Sequence, residues 1–222
     1  MNKYNITAFS VFDENFKIMQ DFVEARNIEY FSQKNIQYLS FSENLKKYSS
    51  PRMSDKHQKY WTKIFILKEL LERNSNEDWF FLMDSDVVVV DSDFDLNIFP
   101  NLVPIHKEFI VCDTDQNYSD KFWNVNTGVF FCKNTRYMLE IISDIVNIAI
   151  ENDFFVEQPI FQEMLSVNYK KLSDKTAIFP STAFNHEGKF LYHACNFSTL
   201  DMDFKKAIEE KTKFLKNICI NQ

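Results

Sequence analysis

A chain of 222 residues is long enough for one domain with a substantial core and short for two. Its 45% hydrophobic and 26% charged residues are those of an ordinary globular protein, and two glycines, Gly128 and Gly188, leave no room for a glycine-rich phosphate cradle or a dinucleotide fingerprint. The formal charge of −7 argues against a nucleic-acid partner, and any phosphorylated ligand needs a cation between itself and the protein's carboxylates.

"YNITAFSVF" alternates as a first strand, Glu14 to about Asn27 reads as a helix, and "IQYLSF" as a second strand. The polar stretch "SENLKKYSSPRMSDKHQ", with Pro51, reads as an exposed loop. Tyr60, Ile64, Leu67, Leu70 and Leu71 recur at three- and four-residue steps and predict an amphipathic helix from about Gln58 to Arg73. "DWFFLM" is a short continuous apolar run suited to a strand buried on both faces, and "EFIVCD" and "TGVFFCK" are further strands. A helix from about Thr135 to Ile150 follows, then a shorter one over "EQPIFQEML". "TAIF" and "KFLYHAC" are expected to close the sheet. "DMDFKKAIEEKTKFLKNI" predicts a terminal amphipathic helix with Phe204, Ile208, Leu215 and Ile218 on one side, packing on the domain or touching a membrane surface.

Strands alternating with helices predict an α/β fold with a mostly parallel sheet flanked by helices, and without repeats or linkers residues 1–222 are expected to form a single domain. The four cysteines form no CxxC pair, no run reaches membrane-spanning length, and "MNKYNITAFSVFDENF" is no signal peptide. The expected location is cytoplasmic, or lumenal if an anchor has been removed.

Ligands of such sheets bind at the carboxyl ends of the strands, where Asp84 and Asp86 follow "FFLM". Other i, i+2 acidic pairs (Asp91/Asp93, Asp93/Asp95, Asp113/Asp115, Asp201/Asp203) lie in polar surroundings and read as solvated turns. Asp84 and Asp86 are hemmed by "WFFLM" and "VVVV", where a charge is costly unless it is paired or coordinates a metal. Side chains at i and i+2 leaving a strand point the same way, so both carboxylates can face one hard cation, Mg²⁺ or Mn²⁺. A structural ion pair or a helix cap is the alternative.

The ordered run "YWTKIFILKELL", "DWFFLMDSDVVVVD", "NTGVFFCKNT", "EQPIFQEML" and "FLYHACN", over residues 58 to 196, resembles nucleotide-sugar glycosyltransferases of the GT-A fold. Within them it is similar to the retaining galactosyl/mannosyl- and xyloglucan-xylosyltransferase family, with kinship to glycogenin-like enzymes. The resemblance implies that Asp86 binds Mn²⁺ and that Asp84 binds the metal or the donor's ribose. It puts the third metal ligand at His193, with His186 as fallback; a packed core histidine is the alternative. It also implies that Asn126, Thr127 and Gly128 contact the donor sugar, where Gly128 either permits close approach or merely turns the chain into its strand. Lys63 matches a donor-contacting basic position, or is a solvated helical lysine.

In "EQPIF" the resemblance assigns Gln158 to support the developing positive charge, with Glu157 orienting it or acting as nucleophile. A plain helix start at Pro159 is the alternative. The family's late His is usually followed by Gly and then by a Lys on the diphosphate, and "HACNFSTLD" has neither. That charge then falls to the metal and Lys63, or to Lys189 or Lys205. The resemblance implies metal-dependent transfer of a sugar from a UDP-sugar to a glycan, lipid-linked or protein acceptor, with retention at the anomeric carbon. Two rivals remain: a catalytically silent nucleotide-sugar-binding protein on the same fold, and a haloacid-dehalogenase-like phosphatase, which shares DxDxV but needs a downstream GDxxxD that is missing here.

Overall fold

The N-terminal alternation forms strand β1 (Ile6–Val11), buried through Ser10. In the computed structural model of the protein, which describes residues 2–73, 75–114, 121–185, 190–194 and 204–221, helix α1 (Lys17–Gln33) carries the chain to strand β2 (Gln37–Phe41), parallel to β1. The sequence predicts a helix start at Glu14. Instead, Asp13 Oδ1 accepts from the backbone N–H groups of Asn15 and Phe16, a local turn that delays the helix to Lys17. The helix also runs past the predicted end near Asn27, because Tyr30 and Phe31 extend the buried stripe of Met19, Val23 and Asn27.

The chain continues through α2 (Asp55–Glu72), β3 (Trp79–Met83), β4 (Val87–Val89), α3 (Ile98–Leu102), β5 (Phe109–Asp113), β6 (Val125–Lys133) and α4 (Arg136–Asn152). It ends with α5 (Gln158–Ser166), α6 (Leu172–Lys175), β7 (Thr176–Phe179), α7 (Ser181–Phe184), β8 (Leu191–His193) and α8 (Phe204–Asn221). The predicted loop before α2 ends early because Asp153 Oδ1 accepts from both the N–H and the hydroxyl of Ser54 and fixes the first turn at Asp55. Thr135 caps α4 by accepting from Met138 N–H.

Among the described residues six strands form one sheet in the order β2-β1-β3-β6-β5-β7. The pairs β1–β2, β1–β3 and β5–β7 are parallel, and β6 runs against both its neighbours. The mostly parallel α/β sheet is therefore the one the alternation of elements predicts. Strand β3 is buried on both faces. Phe80 and Leu82 join the apolar cluster beneath α2, α4 and α5, whereas Trp79, Phe81 and Met83 join the cluster on the α1 and α7 side.

Two irregularities shape the carboxyl end of this sheet. Because β6 is antiparallel to β3, with Val129 opposite Met83, its first residues lie beside the end of β3. The β5–β6 register then jumps from Val111 opposite Phe130 to Cys112 opposite Asn126, so Thr127, Gly128 and Val129 bulge out of that ladder.

The expectation that "KFLYHAC" closes the sheet is corrected. Strand β8 pairs antiparallel with β4 in a separate two-stranded ribbon, with Val87 opposite His193, and β7 takes the edge of the main sheet. The physical cause is the turn at Asp84–Asp86, which carries β4 away from the sheet with an edge of its own to satisfy. The other side of β4 is met by Asn27, whose Nδ2 donates to Val87 O and whose Oδ1 accepts from Val89 N–H, each at 3.0 Å. Helix α8 lays Ile208 and Leu215 against Phe12, Met19, Val23 and Val88, so the protein itself covers this apolar side. No described helix is long and apolar enough to cross a membrane.

Candidate active site

Asp84 and Asp86 occupy the turn between β3 and β4. Asp84 N–H donates to Gly128 O at 2.7 Å and Val87 N–H to Asp84 O at 3.1 Å, which fastens the turn to β6. The β4–β8 ribbon brings His193 to the same place, with Ala194 N–H donating to Asp86 O. One carboxylate oxygen from each aspartate and one ring nitrogen of His193 lie within 4.8 Å of one another. His193 Nε2 is 3.3 Å from Asp86 Oδ1 and 4.0 Å from Asp84 Oδ2.

The other ring nitrogen, Nδ1, meets Asn185 Oδ1 at 2.6 Å. Donation of Nδ1–H to that amide oxygen leaves Nε2 of the neutral ring as a lone pair aimed at two carboxylates. In that tautomer three electron-pair donors converge, an arrangement that suits a divalent cation. Two carboxylates with one imidazole fit Mn²⁺, and Mg²⁺ through the carboxylates. Gly128 permits this convergence. A Cβ there would lie 2.3 Å from His193 Cε1 and 2.9 Å from Asp84 Oδ2. Its φ is not positive, so the need for glycine is steric: the His193 ring and the Asp84 carboxylate occupy the space a side chain would take.

The surrounding charges are unevenly shared. Burial, the largest influence, pushes the Asp84 carboxyl above the usual range, with Asp86 and Glu157 adding to it, against Lys63 and His193. Burial acts on Asp86 as well, but Lys211 and His193 outweigh it and hold that carboxyl well below the usual range. Lys63 lines the cleft with most of its side chain covered, where desolvation favours the neutral amine, yet Asp84 and Glu157 prevail and raise its pKa. Its Nζ lies 2.7 Å from both Asp84 Oδ1 and Glu157 Oε1 and 3.4 Å from Thr127 O. Glu157 Oε1 also accepts from Thr127 Oγ1 at 2.8 Å. Gln158 Oε1 accepts from Thr127 N–H at 3.2 Å, and Asn126 Oδ1 from Gly128 N–H at 2.8 Å.

All nine sequence-derived candidates (Lys63, Asp84, Asp86, Asn126, Thr127, Gly128, Glu157, Gln158 and His193) line one cleft of about 400 Å³, a volume within the range of small-molecule sites. His186 and Lys189 lie outside the described residues, as do Asp115, Asp201, Asp203 and the side chain of Lys205. Sequence reasoning misses Asn185, which orients His193, and Lys211 of α8, whose Nζ is 2.5 Å from Asp86 Oδ2. It also misses Val11, Asp13 and Phe16 at the end of β1, and Lys59 and Tyr60 beside Lys63, all of which line the cleft. For Lys59 and Tyr60 a signal exists, since they lie one turn from Lys63 on the same helix.

Comparison with known proteins agrees with this architecture. The crystal structure of a glycosyltransferase involved in glycosylation of the major capsid of PBCV-1 superposes with a TM-score of 0.67 at 17% identity, covering 94% of this chain and 98% of that one. The galactosyltransferase LgtC, solved with donor and acceptor sugar analogues, gives 0.51 at 10% identity over 94% and 95% of the two chains. Mouse xyloside xylosyltransferase 1 gives 0.50 at 8% identity over 86% and 98%. These likenesses establish the GT-A fold. Among curated proteins, xyloglucan 6-xylosyltransferase 4 of Arabidopsis thaliana is 26% identical over 98 residues, which is 43% of this chain and 18% of that protein's length. The sequence profile of the nucleotide-diphospho-sugar transferases matches residues 18–215. The chain belongs to that nucleotide-diphospho-sugar transferase family.

Proposed function

We propose that residues 1–222 act as one catalytic unit that moves a sugar from a UDP-sugar to a hydroxyl of a glycan, lipid-linked or protein acceptor, with retention at the anomeric carbon. The observation that carries this reading is the convergence of Asp84, Asp86 and His193 within 4.8 Å in a chain of this family. These three side chains would hold Mn²⁺ or Mg²⁺, which when bound supplies Lewis-acid neutralisation of the departing diphosphate.

The protein's own residues do the rest. Asn185 keeps the His193 ring in register with the carboxylates, and Gly128 leaves the ring its space. Lys63 adds a buried positive charge between Asp84 and Glu157. Asn126, Thr127 and Gly128 form the wall assigned to the donor sugar. Gln158 Oε1, steadied by Thr127 N–H, is the oxygen assigned to the positive charge that develops as the anomeric C–O bond breaks. Glu157 is held by Lys63 and Thr127, which suits an orienting role better than that of a nucleophile. The acceptor oxygen forms the new bond on the face the diphosphate leaves, and its proton passes to the departing diphosphate oxygen.

Thermal-shift screening of nucleoside-diphosphate sugars with and without Mn²⁺, followed by hydrolysis and transfer assays, tests the proposal. A UDP-sugar is expected to raise the melting temperature only with metal present. Asp86→Ala is expected to lower Mn²⁺-dependent donor hydrolysis by roughly a hundredfold or more. Normal turnover in that variant contradicts the proposal. A donor that binds tightly and is neither hydrolysed nor transferred would make the protein a donor-binding relative instead.

A further inference from the structure

Lys211 of α8 brings a positive charge to the carboxylate of Asp86. Its Nζ is 2.5 Å from Asp86 Oδ2, while the other oxygen of that carboxylate faces His193 Nε2 at 3.3 Å. The side chain is 13% exposed and lines the same cleft as Asp84, Asn126 and Gln158. The helix that carries it is anchored separately, by Ile208 and Leu215 in the cluster with Phe12, Met19, Val23 and Val88.

An ammonium so placed competes with a divalent ion for Asp86. Once the ion takes that carboxylate, two like charges stand within a few ångströms in a partly buried site, and the monovalent one yields. A four-carbon stem lets Nζ swing while the helix stays docked. The group of opposite charge that a donor adds to this cleft is its diphosphate. We propose that Lys211 is an exchangeable counter-ion, neutralising Asp86 in the metal-free protein and passing to the donor's diphosphate when a divalent cation takes its place.

This rests on reading the cleft as the donor site, and its consequences have opposite signs for two ligands. Lys211 weakens binding of the metal alone and strengthens binding of the nucleotide once the metal is in place, so the two bind cooperatively. A lysine that merely held α8 down would move both affinities the same way.

Isothermal titration of the full chain with MnCl₂, and then with UDP at saturating Mn²⁺, separates these cases. Lys211→Met, which keeps length and apolar stem, is expected to bind Mn²⁺ roughly tenfold more tightly and UDP roughly tenfold more weakly than the wild type. Lys211→Arg, which keeps the charge, is expected to stay near wild type in both. Unchanged or weaker Mn²⁺ binding by the folded Met variant overturns the exchange, as does unchanged UDP binding. If Lys211→Met fails to fold, Lys211→Gln takes its place with the same expected signs. A wild-type protein that binds no Mn²⁺ overturns the metal-site reading itself, and the exchange with it.

Discussion

Removing the charge of Asp84 and removing that of Asp86 are expected to move the stability of the metal-free protein in opposite directions. Burial raises the Asp84 pKa, so its charge costs stability as pH climbs from an unfolded value of about 3.9 through the native one, and that cost is absent below about 3.9. Asp86 is held low by Lys211 and His193 against burial, so its contribution is present above about 3.9 and is lost as pH falls. At pH 7 Asp84→Asn should therefore melt higher and Asp86→Asn lower, each kcal/mol being worth roughly 2–4 °C in a chain of this size. Toward pH 4 the Asp84 difference should vanish, whereas the Asp86 difference should persist and decline only below about 3.9. Calorimetry at two pH values checks this, and shifts of one sign contradict it. Gly128→Ala places a carbon 2.3 Å from His193 Cε1, so the variant should keep its circular dichroism while losing roughly tenfold or more in Mn²⁺ affinity. Wild-type affinity would show that the ring moves aside freely. The sequence makes Asp84 and Asp86 conspicuous through their apolar flanks. What it hides is that Gly128 faces His193, because that contact exists only once β8 has left the main sheet for β4.

At the scale of elements, the short strand β4 carries the carboxylate turn and depends on Asn27 of α1. Asn27→Ala would strand both Val87 O and Val89 N–H, at a cost of about 2–4 kcal/mol in urea denaturation. Gln33→Ala, on the exposed side of the same helix, should be nearly neutral. Equal effects would refute the bridging role. Runs such as "DWFFLM" and the spaced Leu and Ile residues of α2 announce their elements because continuous or 3.6-periodic apolarity is a local property. The start of α1 is obscured by an Asp13 turn that competes with helix. The helix runs on past Asn27, whose buried amide finds its partners in Val87 and Val89, about 60 residues on. Lys211, 125 residues from Asp86, leaves no trace in any local pattern.

The whole molecule carries a charge of −7, and its cleft gathers Asp13, Asp84, Asp86 and Glu157 against Lys59, Lys63 and Lys211. A nucleoside diphosphate approaching such a surface is repelled unless a divalent ion is already seated or arrives with it. The proposed function therefore requires a cation shared by protein and diphosphate, held by Asp84, Asp86 and His193. Pulsed electron paramagnetic resonance of Mn²⁺ with the protein and UDP observes that cation directly. The expected spectrum carries ¹⁴N modulation from the His193 imidazole together with ³¹P coupling from the diphosphate, and the nitrogen signal disappears in His193→Ala. A Mn²⁺ signal with phosphorus coupling and no nitrogen, unchanged by that substitution, contradicts the site.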